Sequence, residues 1–205
     1  MINTVAEGIE AIRKGEIIIV VDDADRENEG DFIVAGEMVT PEIINFMITY
    51  GKGLLCVPLP HERCEELELY PFIANDNSSL FNTPFTMSVD LRGYGCTTGV
   101  SAYDRATTTK VLVSGDIKPD ELARPGHIFP LCGNRNGVLG RNGHTEALLD
   151  LTRMAGLKPG GALIEILNED GTMARLPQLT EIAKRFQLKI ITIKDIQEYR
   201  KVNSI

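Results

Sequence analysis

The run IIIVV at residues 17–21 is followed by DFIVAG at 31–36, with only residues 22–30 between them. Both runs are apolar and rich in β-branched residues, and each is long enough for a buried strand. A parallel crossover needs a dozen or more residues and usually a helix, so these two strands are not joined as a βαβ unit. Further along, strand patterns alternate with helix patterns, which is the signature of a layered α/β chain. The fold class expected is therefore α/β (α+β): one layered domain over residues 1–205, with a mixed β-sheet flanked by helices.

The helix signals are specific. Thr4 and Glu7 have the spacing of a capping box, Val5, Ile9 and Ile12 recur on one helical face, and Gly15 ends the run. In TPEIINFMITYG, Thr40 is placed as N-cap, Pro41 as the first helical residue and Gly51 as the stop. Strands are expected near 53–57, 85–91, 127–132, 162–168 and 189–193, and helices near 60–68, 102–113, 144–155, 177–186 and 194–201. The polar segment NDNSSLFNTP, 75–84, reads as an exposed loop. No linker or internal repeat divides the chain.

Lys and Arg number 21 against 29 Asp and Glu, and the net charge of −8 argues against neutralising a nucleic-acid backbone. Cys56, Cys64, Cys96 and Cys132 show neither CxxC spacing nor a disulfide framework, and the N-terminal residues do not read as a signal peptide. A reduced, cytoplasmic protein is expected. No apolar stretch approaches the roughly 18 residues of a membrane span.

Between the first two strands lies DDADRENEGD, in which Arg26 is the one cation among Asp22, Asp23, Asp25, Glu27, Glu29 and Asp31. Such crowding lowers stability unless a cation or a phosphorylated ligand sits among the carboxylates; a solvated charged turn is the alternative. Counted from Asp25, acidic residues fall at positions one, three and five of an EF-hand loop with Gly30 at six, but position twelve is Gly36 where a bidentate Glu is required. An oxygen-rich cluster of this kind suits Mg²⁺ or Mn²⁺.

Three further stretches carry polar side chains beside turns. RNGHTEALLDLTRMAG sets Arg141, Asn142, Gly143, His144 and Thr145 at a helix start, a phosphate cradle in form, although Thr145 reads equally as an ordinary cap. ARPGHIFPL places His127 between a Pro-Gly turn and an apolar strand, and GCTTGVSAYDRATTTK offers Ser101 and Asp104 as caps. Each has a purely structural reading when taken alone.

Together, DDADRENEGD, TTGVSAYDRATTT, RPGHIFPL and RNGHTEALLDLTRMAGLKPGGALIEILNEDGTMARLP resemble 3,4-dihydroxy-2-butanone 4-phosphate synthase of riboflavin biosynthesis, in an order and spacing that cover residues 4–195. The resemblance implies conversion of ribulose 5-phosphate to 3,4-dihydroxy-2-butanone 4-phosphate and formate, with Mg²⁺ (or Mn²⁺), two ions per site, and no organic cofactor. It implies Glu27 and His144 as metal ligands, and Arg26, Glu27, Asp31, Arg141, Asn142, Gly143, His144, Thr145 and Glu165 as substrate contacts. His127 and Glu165 match the positions essential for proton transfer; Asp23, Glu29, Cys56, Asp104, Arg105 and Thr107 fall in family motifs without an assigned role. Asn136 and Cys96 depart slightly from the pattern.

As partners, the resemblance implies a small phosphosugar and a second copy of the chain, in a homodimer with active sites at the interface, without nucleic acid or membrane. In many bacteria a GTP cyclohydrolase II domain follows this one, and IKDIQEYRKVNSI reads as either an end or the start of a linker. Two other functions compete: another Mg²⁺-dependent phosphosugar isomerase or epimerase, which also passes through an enediol, and a nucleotide- or RNA-binding module, against which the acidic balance speaks.

Overall fold

The computed structural model of the chain describes residues 2–73 and 77–205. Among the described residues the order is α1 (Val5–Arg13), β1 (Ile18–Val21), β2 (Gly30–Ala35), α2 (Pro41–Tyr50), β3 (Cys56–Leu59), α3 (His61–Glu66), β4 (Val89–Leu91), α4 (Ala102–Ser114), β5 (Leu122–Cys132), α5 (His144–Met154), β6 (Gly161–Glu165), α6 (Leu176–Phe186), β7 (Lys189–Thr192) and α7 (Ile193–Asn203). The Thr4–Glu7 capping box forms, Thr40 Oγ1 accepts the Ile43 amide with Pro41 opening α2, and Gly51 closes that helix. The expected loop at 75–84 falls partly on residues 75 and 76, which lie outside the described residues.

All seven strands join one sheet in the order β4-β5-β3-β6-β2-β1-β7. The short connection has the expected effect: β1 pairs antiparallel with β2, whereas β1 with β7 and β3 with β5 are parallel. The uninterrupted apolar run of β1 is explained by burial on both faces. Ile19, Val21, Phe32 and Val34 pack on the side of α2, α3, α4 and α6, while Ile18, Val20, Ile33 and Ala35 pack on the side of α1, α5 and α7. Alternate residues of each strand thus serve two cores, and the sheet is the middle of three layers.

Strand β5 starts earlier than its sequence pattern indicated. Arg124-Pro125-Gly126 reads as a break, yet Leu122 and Ala123 already pair with Leu91 and Asp90 of β4. Beyond them the register jumps: Val89 faces Ile128 although Asp90 faces Ala123, so residues 124–127 bulge from the ladder. At Gly126 a Cβ would overlap the Val89–Asp90 backbone, so the bulge admits glycine there. Gly126→Ala should therefore lower the unfolding free energy by about 1–3 kcal/mol, as overpacking against a rigid strand does. A urea midpoint equal to that of the wild type would contradict this account.

Candidate active site

On the α5 side of the sheet the strands do not bury only hydrocarbon. Asp31 at the start of β2 stands directly across from Glu165 at the end of β6. Two carboxylates opposite each other repel, and both line a cleft of about 90 Å³ together with Arg26, Glu27, Glu29, Cys56, Arg141, His144, Thr145 and apolar neighbours. The N-terminus of α5 overhangs this cleft, bringing His144 and Thr145 to it. Its orphan amides and positive dipole end favour an anion nearby.

The acidic loop is built around Asp22. Its Oδ1 accepts the Glu29 amide at 2.8 Å, and its Oδ2 accepts the Glu27 amide at 3.0 Å and the Arg26 guanidinium at 2.9 Å. From the other side the Arg175 guanidinium donates to the Glu27 carbonyl at 2.8 Å and to that of Asn28. Arg26 also pairs with Glu27 Oε2 at 2.7 Å and lies over the Phe81 ring, 4.9 Å from its centre. The loop that reads as a solvated run is thus a tied structure, with the Arg26 side chain 9% exposed.

These ties aim Glu27 at His144, whose Nδ1 lies 3.5 Å from Glu27 Oε2 and 3.9 Å from Asp31 Oδ2. Burial opposes charge on Glu27, but the contact with His144 and the charge of Arg26 outweigh it and hold the carboxyl at about 2. Burial likewise works against a charged His144, yet Asp31 and Glu27 raise it to about 9. Asp31, fully enclosed, is pushed up to about 8 by burial, with Glu165, Glu27 and Glu29 adding repulsion against the pull of His144.

Do these residues suit a divalent cation? Asp22, Glu27 and His144 each offer a ligand atom within 4.8 Å of the others. Both oxygens of Asp22 are already taken by amides and Arg26, so it holds the loop, and Glu27 and His144 are left as donors. Two buried atoms nearby, His144 Nε2 and Asp31 Oδ1, have no hydrogen-bond partner among the described residues. Imidazole and carboxylate in a crowded acidic pocket form a donor set that fits Mg²⁺ or Mn²⁺.

Arg141 supplies the opposite charge. Its guanidinium donates to Glu146 Oε2 at 2.8 Å and to the Phe81 carbonyl at 3.1 Å, while the buried Nε has no partner. Glu146, wholly enclosed, also accepts the Asn134 amide at 3.1 Å. This brace was not visible in the sequence, where Glu146 passes for a helix-start residue. Glu165 is fixed similarly, its Oε2 accepting the Leu54 amide at 2.8 Å, while a Cβ on Gly53 would overlap that carboxylate.

Some sequence expectations change. Thr145 does not cap α5: Gly143 occupies the N-cap without a side-chain bond, and Thr145 is the second residue of the helix, buried against the cleft. His144 is buried, 6% exposed. Asn142 is exposed and Gly143 buried, and neither lines the cleft. Neither does His127, which stands on β5 beside Asp90. Of the unassigned motif residues, Cys56 and Glu29 line the cleft, Asp104 is taken up by Thr97 and Gly99, and Thr107 bonds the Tyr103 carbonyl.

A three-layer domain whose cleft sets carboxylates and an imidazole beside a braced arginine has the make-up of an enzyme domain. The family profile described as 3,4-dihydroxy-2-butanone 4-phosphate synthase matches residues 6–199. The chain belongs to that family. It is 61% identical over 199 residues to the riboflavin biosynthesis protein RibBA of Cytophaga hutchinsonii, covering 97% of this chain and 49% of that protein. With RibBA of Bacillus subtilis it shares 50% identity over 98% of this chain and 50% of the relative. The chain thus spans about half the length of the curated relatives it matches.

Among solved structures, a 3,4-dihydroxy-2-butanone 4-phosphate synthase in complex with two magnesium ions superposes with a TM-score of 0.91 at 37% identity, covering 98% of both chains. The enzyme of Candida albicans gives 0.89 at 42% identity, covering 97% of this chain and 98% of that one.

Removing the Asp22 carboxylate leaves two amides without their acceptor and takes one of two carboxylate partners from Arg26, loosening the loop that aims Glu27 at His144. Asp22→Ala should lower the unfolding free energy by about 1–3 kcal/mol and weaken Mg²⁺ binding in calorimetry. Unchanged Mg²⁺ affinity would show that the loop does not depend on this anchor.

Proposed function

We propose that the chain converts D-ribulose 5-phosphate to L-3,4-dihydroxy-2-butanone 4-phosphate and formate, a lyase step of riboflavin biosynthesis. The observation that best supports this is the meeting of Glu27, His144, Asp31 and Glu165 with Arg141 in one cleft. Glu27 and His144 would hold Mg²⁺ or Mn²⁺, two ions per site, in keeping with the relative described with two magnesium ions. When bound, the metal supplies positive charge for the anion that forms as the proton beside the ketone leaves.

The chain's own residues do the rest. Arg141, the amides opening α5 and the Thr145 hydroxyl bind the phosphate, with Asn142 and Gly143 shaping the approach and Arg26 and Asp31 contacting the sugar. Glu165, fixed through one oxygen by the Leu54 amide, keeps the other for taking up and giving back a proton. Loss of a hydroxyl, rearrangement of the skeleton and release of one carbon each need such a transfer, and His127 is the second carrier. The free cysteines and the acidic surface suit a cytoplasmic enzyme that binds neither nucleic acid nor membrane, and no helix among the described residues is long and apolar enough to cross one.

Formate released from ribulose 5-phosphate in the presence of Mg²⁺ is the expected product. Glu27→Gln and His144→Ala should each abolish its release while leaving the circular dichroism spectrum unchanged. A pentose isomer appearing without formate would instead make this an isomerase or epimerase.

His127 enters through assembly. It lies four residues along β5 from Leu131 at the cleft wall, about 13 Å away along the strand, and its imidazole is half exposed. In our reading two copies form a homodimer in which the His127 of one reaches the site built around Glu27 of the other. Glu27→Gln and His127→Gln proteins, unfolded together and refolded, would then form mixed dimers with one intact and one doubly defective site. Random pairing makes half the dimers mixed, so roughly a quarter of wild-type activity should return. No recovery, with mixed dimers seen by mass spectrometry, would place both residues in one subunit's site.

A further inference from the structure

The bulge in β5 removes Gly126 and His127 from the β4 ladder, and their amides need other acceptors. Ser88 Oγ takes the Gly126 amide at 3.2 Å, and Asp90 Oδ1 takes the His127 amide at 2.8 Å. The second oxygen of the same carboxylate, Oδ2, lies 2.7 Å from His127 Nδ1. Asp90 therefore holds both the main chain and the ring of one residue, with its own side chain 14% exposed and the imidazole 50% exposed. A neutral imidazole has one donor and one acceptor nitrogen, and a carboxylate can only accept. The nitrogen facing Asp90 must carry the proton, which leaves the lone pair on Nε2.

We propose that Asp90 is a positioning residue for the reaction, fixing His127 in the Nδ1–H tautomer and presenting Nε2 as its proton-accepting atom. The proposal rests on the reading of His127 as a proton carrier and adds what prepares it.

Asp90 is itself held in place. A Cβ on Gly99 would overlap the Asp90 carboxylate, and Gly99 has φ +86, so a glycine closes over Asp90 where a larger residue would displace it. The Gly99 amide donates to Asp104 Oδ2 at 2.9 Å, and Thr97 Oγ1 donates to the same oxygen at 3.0 Å. Ser101 Oγ in turn accepts the Asp104 amide at 3.0 Å, starting α4. The stretch TTGVSAYD is thereby a mould: Asp104 shapes the turn, the turn seats Gly99 on Asp90, and Asp90 orients His127. Neither Asp90 nor this function of Asp104 can be seen in the sequence, since residues 90 and 127 meet only through the bulge.

The tautomer can be read directly by nitrogen-15 NMR of the histidine rings in the whole protein, where three histidines keep assignment simple. The wild type is expected to show neutral His127 protonated at Nδ1, and a proton on Nε2 instead would overturn the proposal without any variant. Asp90→Asn keeps an acceptor for the main-chain amide but turns a donor toward Nδ1, so the proton should move to Nε2. With that shift kcat should fall by about 10²–10⁴-fold, the range of a lost acid–base group, with KM for ribulose 5-phosphate unchanged. Added to His127→Gln, Asp90→Asn should cost nothing further, because it acts through that ring. An unchanged tautomer in Asp90→Asn, or losses that multiply in the double variant, would overturn the positioning role. A fully active His127→Gln would overturn the reading of His127 and with it the role of Asp90 in the reaction, whereas an inactive His127→Gln beside a fully active Asp90→Asn would overturn the positioning role alone.

Discussion

Asp31 and Glu165 face each other across adjacent strands, on a sheet face that elsewhere buries isoleucine, valine and alanine. Two carboxylates so placed resist being charged together unless something positive stands over them. His144 stands there, brought by the N-terminus of a helix that is buried along nearly its whole length. The rest of the site follows from this constraint. Glu27 must be held close enough to share His144, the acidic loop must be tied to hold Glu27, and Arg141 must be braced so that it does not neutralise the carboxylates itself. Glu146 does the last by accepting the guanidinium from the far side.

The legible part of this in the sequence was local. Thr4, Thr40, Pro41 and Gly51 act within one helix end each, so their spacing alone places them. The antiparallel step from β1 to β2 was legible for a different reason: a short connection excludes a crossover whatever the side chains are. The site residues Glu27, Asp31, His144 and Glu165 were named because four motifs in order resemble one family, and the cleft brings them together. Nothing in their spacing predicts that residues 27, 31, 144 and 165 meet.

What could not be read were bonds between distant side chains and main chain. Thr145 carries a capping side chain at a capping spacing, yet packing of α5 into the domain puts Gly143 at the N-cap and turns the threonine inward. Arg124-Pro125-Gly126 is a turn signal by any local rule, and it lies within a strand because Ser88 and Asp90 take over the lost ladder bonds. Tertiary contacts override local preference at these positions, and both lie at or beside groups assigned to the chemistry.

One physical device recurs in all of them. Asp22 accepts the amides of Glu27 and Glu29, Asp90 that of His127, Asp104 that of Gly99, Glu146 that of Asn134 and Glu165 that of Leu54. Amides in irregular segments lack ladder partners and take other acceptors, and a charged carboxylate gives a bond roughly twice as strong as a neutral group does. In Asp22, Asp90 and Glu146 the same carboxylate also holds a second side chain: Arg26, the His127 ring and Arg141. The same acid thus shapes a loop and aims the group that the loop carries. On this view the acidity of the chain is not only a surface property. Part of it is the means by which short, irregular connections are held in place together with the side chains they carry.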